Sequence, residues 1–247
     1  MSAVFKREFK AYFTNPLGFV IIALFYFFLS YLFSSYYSSG MPYVEYVVIG
    51  VAQVALVIMA AITMRLFSDE RRQKTDQALF TAPVKLIDIV LGKFFAALAL
   101  FGCGFTITII YEIIVAAYVP VNLFYYIYSL IGIMLFGAAV ISVGMFISSL
   151  SESPIISIIF TLIVNMFFLT GGLTDMIQVP AAEAWYEKVF AFIVQMLVNL
   201  LNALNFTTVL ESFGEQSLVI KDVVYFISVT AAFIFLTERS LEKRRWS

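Results

Sequence analysis

Glu112 is the residue of this sequence whose type and position most clearly suggest chemistry, because it is a carboxylic acid inside an apolar run. It lies in the segment IIYEIIVAAYVP, about two helical turns before Pro120. A carboxylate in hydrocarbon is costly unless it is protonated, paired or hydrated. Glu112 could therefore line a path for an ion or substrate, or it could bond to a neighbouring helix or reach the outer interface. Asn165 and Gln53 are weaker candidates, since amides often join membrane helices without a transport role.

Hydrolytic and metal-dependent chemistry is excluded by residue types that the sequence lacks. There is no histidine, which removes the commonest general base and metal ligand. There is also no G-x-x-x-x-G-K-[ST] motif, so the chain has no P-loop for nucleotide phosphates. An aspartyl site needs two carboxyl groups at membrane depth, and only Glu112 lies clearly inside an apolar run. We therefore predict a non-catalytic chain without a metal or cofactor of its own, so that any ATP must be hydrolysed by another subunit.

The composition is that of an integral membrane protein. Of 247 residues, 62% are apolar and only 13% charged, and the mean hydropathy is +0.98, far outside the range of soluble domains. Nothing suggests a nucleic-acid partner. The N-terminal segment MSAVFKREFKAYF lacks the pattern of a signal peptide, so we expect the first apolar run to remain in the mature protein. We predict an all-α integral membrane protein that forms one domain over residues 1–247.

Six apolar runs are long enough to cross a bilayer, which requires about 20 residues per helix. Two of them begin at a proline, after Asn15 and Ser153, where the missing N–H costs least. The six predicted spans cover approximately residues 17–37, 44–66, 92–117, 123–149, 154–174 and 223–240.

The charges predict how these spans are oriented. Thirteen of the fifteen basic residues fall on one side of the predicted spans, and only Lys188 and Lys221 fall on the other. The positive-inside rule makes the basic side cytoplasmic, with both termini there. The thirteen residues are Lys6, Arg7, Lys10, Arg65, Arg71, Arg72, Lys74, Lys85, Lys93, Arg239, Lys243, Arg244 and Arg245.

Two further segments have the pattern of amphipathic helices. Near the N-terminus, an apolar and aromatic face (Val4, Phe5, Phe9, Tyr12 and Phe13) opposes a basic face, which predicts a helix along the cytoplasmic membrane surface. Residues 189–206 are apolar but repeat amides on one face, which favours a short outer-leaflet helix, lying flat or dipping inward, over a seventh span.

The fourth span carries small residues at helical spacing. Gly137, Gly144 and Ser148 share one face, which lets another helix approach closely. That helix could belong to the same chain or to a second chain. Packing within the chain is the simpler interpretation.

The sequence SDERRQKTD, residues 68–76, places a dense group of charges between the second and third spans. Ser68 is predicted to cap a short cytoplasmic helix, with acids in its first turn and cations after them. The helix should end before Pro83, because the residue before a proline is disfavoured in helical geometry. The alternative is a solvated loop whose cations only set the topology.

Three segments resemble, in matching order, the permeases of ABC-2 type exporters and especially their gliding-motility, GldF-like branch. The first, FKREFKAYFTNPLGFVI, is similar to the entry helix and first span of that branch. The second and third are DERRQKTDQALFTAPVKLIDIVLGKFFAAL and LNFTTVLESFGEQSLVIKDVVYFISVTAAFIFLTERSLEKRRW.

The resemblance implies a function and a set of partners. In that family a coupling helix between spans two and three docks on an ATP-binding subunit, which holds ATP and magnesium, and two six-span permeases associate. It also implies that the N-terminal helix lies beside the coupling helix and that residues 176–206 form short helices at the outer mouth. Some members of the branch work with an auxiliary subunit. The coupling residues here would be Ser68, Asp69, Glu70, Arg71, Arg72 and Lys74.

Two other classes of function remain open from the residues alone. An ion-coupled carrier or channel would use Glu112 as its proton- or ion-binding site. A structural membrane scaffold would use neither Glu112 nor residues 68–76 for transport.

Overall fold

The computed structural model describes residues 1–41, 43–74, 85–169, 206–214 and 220–245. Throughout these ranges the regular structure is α-helical, as the composition predicts. The helices are α1 (Ser2–Thr14), α2 (Pro16–Ser38), α3 (Val44–Gly50), α4 (Ala52–Thr63), α5 (Ser68–Arg72), α6 (Leu86–Gly104), α7 (Ile107–Ala116), α8 (Leu123–Leu150), α9 (Pro154–Leu169), α10 (Phe206–Gly214) and α11 (Ile220–Arg245).

Five helical stretches of the described chain are long and apolar enough to cross a membrane: Pro16–Ser38, Ala52–Arg72, Leu86–Ala116, Leu123–Leu150 and Ile220–Arg244. Helix α9 is apolar but has only 16 residues, fewer than the roughly 20 that a bilayer requires. The remainder of the predicted fifth span, residues 170–174, lies outside the described ranges. The sixth crossing therefore stays a prediction.

Helix α8 is the centre of the bundle. It contacts α3, α4, α6, α9, α10 and α11, and glycines allow the closest of these approaches. A Cβ at Gly137 would lie 2.4 Å from the Phe101 ring of α6, and one at Gly144 would lie 2.3 Å from the Thr63 hydroxyl of α4. The small residues of the fourth span thus lie against helices of the same chain.

Helix α7 has an apolar outward face and carries polar groups on its inward face. On α7, Ile110 and Ile113 are exposed while Thr108 and Glu112 are buried. This is the reverse of the pattern in soluble helices. It is the distribution expected when hydrocarbon surrounds the bundle, because only the interior can supply hydrogen-bond partners.

Two of the predicted spans differ from the structure. The second is interrupted at Val51, between α3 and α4. The third begins at Leu86 rather than near residue 92. The sequence prediction began this span after Asp88, whose charge interrupts the apolar run, whereas in the structure Asp88 lies in the first turn of α6 and Lys93 is paired with carboxylates inside the bundle.

The charged helix between spans two and three also differs from its prediction. Ser68 is not the cap of α5, since Phe67 occupies the N-cap position and the Ser68 hydroxyl instead donates to the carbonyl of Met64. The helix ends at Arg72, and Lys74 has φ +55°, a left-handed conformation that stops a right-handed helix. Residues 75–84, where the longer helix was predicted to end, are outside the described ranges. So are residues 170–205, which include most of the segments predicted at the outer surface.

Candidate functional site

One end of the bundle gathers most of the charged contacts of the described chain. It contains α1, α5, the start of α6 and the last turns of α8 and α11, and we call it the charged end. Side-chain contacts from α5 reach α6 and the carboxyl end of α8. The charged end is therefore a connected structure and not a set of separate loops.

A buried lysine is the centre of the charged end. Lys93 on α6 is 2% exposed, and its Nζ lies 2.8 Å from Glu70 on α5 and 3.2 Å from Glu8 on α1. Arg7 joins the same carboxylates, at 2.6 Å from Glu8 and 3.5 Å from Glu70. The hydrogen bond that Arg7 donates to the Glu8 carboxylate raises the pKa of the Arg7 guanidinium, so Arg7 stays cationic. These four residues, the Lys93 cluster, tie α1, α5 and α6 together.

The N-terminal helix is seated on the bundle by two glycines. A Cβ at Gly92 of α6 would lie 2.8 Å from the Val4 side chain, and one at Gly18 of α2 would lie 2.3 Å from the Tyr12 carbonyl oxygen. The apolar face of α1 is half-buried there, while its basic residues Lys6 and Lys10 are exposed. Burial also raises the pKa of the Tyr12 phenol, so it stays neutral. Helix α1 is thus in direct contact with two long membrane helices.

We expect a leucine at Gly92 to lift α1 from α6. The added side chain has no room beside Val4, and overpacking of this kind costs about 1–3 kcal/mol. The measurement is maleimide labelling of Val4→Cys in a Cys103→Ser background, which should accelerate in Gly92→Leu.

Gly102→Leu is the matched control, since it lies on the same helix and its Cβ would meet nothing closer than Met134 at 3.7 Å. Equal labelling rates in both variants would contradict the seating of α1 at Gly92.

Helix α5 is fixed on its other side to the end of α8. Arg71 donates from Nη1 to the Leu150 carbonyl at 2.9 Å and pairs with Glu152 at 2.5 Å. The backbone N–H groups of Phe67 and Ser68 donate to the Ser148 hydroxyl at 3.1 and 3.2 Å. Helix α5 therefore connects directly to the central helix as well as to α6.

The six residues that the sequence singled out as coupling residues divide into two groups. Ser68 is fully buried, and Glu70 and Arg71 make the interhelical contacts above. Asp69 pairs within its own segment, with Arg65 at 3.5 Å and Arg72 at 3.4 Å. Arg72 and Lys74 are exposed. A partner could therefore contact the exposed residues Arg72 and Lys74. Ser68, Glu70 and Arg71 hold α5 in position on the bundle.

The polar residues singled out within the spans are not brought together. Glu112 is buried in α7, and its Oε2 makes no hydrogen bond within the described ranges of the chain. Asn165 of α9 donates to the Leu56 carbonyl of α4 at 3.1 Å, which joins two helices. Gln53 lies on the exposed side of α4. These positions do not form one polar site.

Sequence reasoning missed three ionisable residues, of which Lys93 and Glu45 are buried and Glu8 is half-buried. Lys93 was counted only as a basic residue that flanks the third span, and Glu8 is surrounded in sequence by cations. Glu45 lies one residue inside the second predicted span, yet it is only 8% exposed, in the first turn of α3. A charge inside a helical run, at the position where the pattern expects an apolar residue, is the signal that could have identified Lys93 and Glu45.

The fold and the charged end together define a class of protein: a multi-pass α-helical membrane protein whose short charged helix is joined to several spans. A family model of the ABC-2 family transporter proteins matches residues 34–237, and the chain belongs to that family. A search of curated proteins found no match.

Proposed function

We propose that this chain is the permease subunit of an ABC-2 type exporter and that a separate ATP-binding subunit docks at α5. The observation that carries the proposal is the attachment of α5, which is tied to α6 and α8 while Arg72 and Lys74 stay exposed. A short helix held in this way can convert the movement of a partner into a shift of the spans. The family match supports this role. ATP and magnesium belong to the partner, so the chain itself is non-catalytic.

The proposal includes a topology and an assembly. The charged end faces the cytoplasm with both termini, α1 lies along the membrane surface, and residues 154–174 form the fifth of six spans in the cell membrane. The concentration of basic residues at the charged end supports this orientation. By resemblance of the three quoted segments, the chain is GldF-like, residues 176–206 form short helices at the outer mouth, and the permease pairs with a second copy or a second permease, with an auxiliary subunit in some systems.

The test is a charge reversal restricted to the exposed positions. The double variant Arg72→Glu with Lys74→Glu should lose the ATP-binding subunit on purification from the native host in mild detergent. We expect a loss of retained ATPase on the order of tenfold or more, because like charges placed in contact cost several kcal/mol. The thermal stability of the chain itself should change little, since both side chains are exposed and an exposed ion pair such as Arg72 with Asp69 contributes at most about 1 kcal/mol. The readouts are copurified protein and ATP hydrolysis.

Lys243→Glu is the matched control, because it reverses another exposed charge of the charged end on α11. It should retain the ATPase. Recovery of the wild-type chain with no nucleotide-binding partner, under conditions that preserve a known ABC complex, would count against the exporter proposal.

A further inference from the structure

Two carboxyl groups are buried close to each other at the end of the bundle opposite to the charged end. Glu45 on α3 is 8% exposed and Glu112 on α7 is 6% exposed. Helices α3 and α7 are in contact, and the two carboxyl groups are near enough to interact electrostatically. Because like charges in a low-dielectric site repel strongly, this pair does not hold two negative charges easily.

In the part of the chain that the structure describes, no cation compensates the two carboxyl groups. None of the ion pairs among the described residues includes either carboxyl group. Tyr126 on α8 is close enough to Glu112 to interact with it electrostatically, and its hydroxyl group bonds to that of Thr108 at 2.9 Å. The Oε2 atom of Glu112 is buried and has no hydrogen-bond partner among the described residues. An isolated buried oxygen of this kind calls for a physical explanation.

The two glutamates are not equivalent. Glu45 lies in the first turn of α3, where the N-terminus of the helix favours a negative charge, and it accepts a hydrogen bond from its own backbone N–H. Glu112 lies in the sixth position of α7 and lacks this support. The other ionisable residues on α3, α7 and the helices that contact them are tyrosines, such as Tyr36 and Tyr111, and Glu211 of α10, and none of these residue types supplies positive charge.

We propose that Glu45 and Glu112 form a proton-binding pair, in which Glu112 holds the proton and Glu45 stays ionised. A hydronium ion transfers its proton to the Glu112 carboxylate: one O–H bond of hydronium breaks, one forms on Glu112, and a water molecule is released, so the pair keeps one negative charge. A metal ion fits less well, because Ca²⁺ and Mg²⁺ require about six or more oxygen ligands, and no group of three or more acidic or thiol side chains suited to a metal occurs among the described residues. The inference concerns this pair alone and does not depend on docking of an ATPase.

Infrared spectroscopy of the purified full-length chain in lipid nanodiscs at neutral pH tests the inference. A protonated carboxyl group gives a carbonyl band that a carboxylate lacks. We expect such a band in the wild type, a shift of the band in D₂O, and its loss in Glu112→Gln. In Glu45→Gln the band should persist at a changed frequency, because the neighbouring charge is gone.

Glu152→Gln is the control, since Glu152 lies at the charged end with a side chain 77% exposed, and it should leave the band unaltered. Glu112→Gln should also keep the thermal midpoint of the wild type, because glutamine matches a neutral acid in shape and charge. A missing band in the wild type, a band that survives Glu112→Gln, or a band abolished by sodium would overturn the inference.

Discussion

Replacing Lys93 by methionine is expected to destabilise the protein more than any other single charge change at the charged end. The variant keeps the volume of the side chain but removes the cation from between Glu8 and Glu70, at 3.2 and 2.8 Å. Loss of one partner of a buried ion pair costs about 3–5 kcal/mol. We expect a loss of stability at the lower end of this range, because Arg7 remains beside both carboxylates. Their side chains are also partly exposed, 16% for Glu8 and 21% for Glu70.

The measurement is the thermal midpoint of the purified chain, followed by the loss of its monodisperse peak in size-exclusion chromatography. Lys85→Met is the matched control, since Lys85 is exposed just before α6, and it should leave the midpoint unchanged. Adding Glu70→Gln to Lys93→Met should restore part of the loss, because it removes one of the two uncompensated carboxylates. Equal midpoints for Lys93→Met and Lys85→Met would show that the Lys93 cluster does not stabilise the fold.

The Lys93 cluster also decides how the docking of an ATPase should be tested. A charge reversal at Glu70 or Arg71 would disturb contacts within the chain, to Lys93 and to Glu152 respectively. A loss of the partner in such a variant could therefore follow from a displaced α5. Reversal at Arg72 and Lys74 leaves the contacts of α5 with α6 and α8 in place, because both side chains are exposed and the ion pair of Arg72 with Asp69 lies within α5.

The parts of the fold that local sequence fixes were predictable. Helices α2 and α9 begin at Pro16 and Pro154, as the prolines predict, because a proline at the first turn loses no internal hydrogen bond. The apolar runs gave the long helices, since hydrocarbon demands about 20 residues without charge. These signals act over a few residues and need no knowledge of the tertiary structure.

The candidate site was less predictable because it depends on distant partners. Lys93 lies 23 positions after Glu70 in the sequence, and Glu8 lies much further away, in α1 near the N-terminus. In the sequence, Lys93 is indistinguishable from the other basic residues at the membrane boundary. Lys93 becomes a buried contact between helices only because α1 and α5 pack against α6 and place Glu8 and Glu70 beside it. The pairing of Glu45 with Glu112 is hidden in the same way, because α3 and α7 lie in separate spans.

A size exchange between α6 and α8 should show whether the small residues of α8 serve this chain alone. Phe101 is fully buried, and its ring occupies the space that a Cβ at Gly137 would need, at 2.4 Å. Phe101→Ala should cost about 3–5 kcal/mol through the cavity it leaves. Gly137→Leu should cost about 1–3 kcal/mol through overpacking.

The double variant Phe101→Ala with Gly137→Leu should lose less stability than the two single variants lose together, because the leucine enters the space that the ring has left. Residues in contact show coupling of about 0.5–3 kcal/mol, and the same thermal midpoints measure it. Gly144→Leu is the control: Gly144 contacts Thr63 instead, so its loss should add to that of Phe101→Ala. Additive losses for the Gly137 pair would mean that the leucine at 137 meets something other than the Phe101 ring, and a second chain would become the better explanation of the small-residue face.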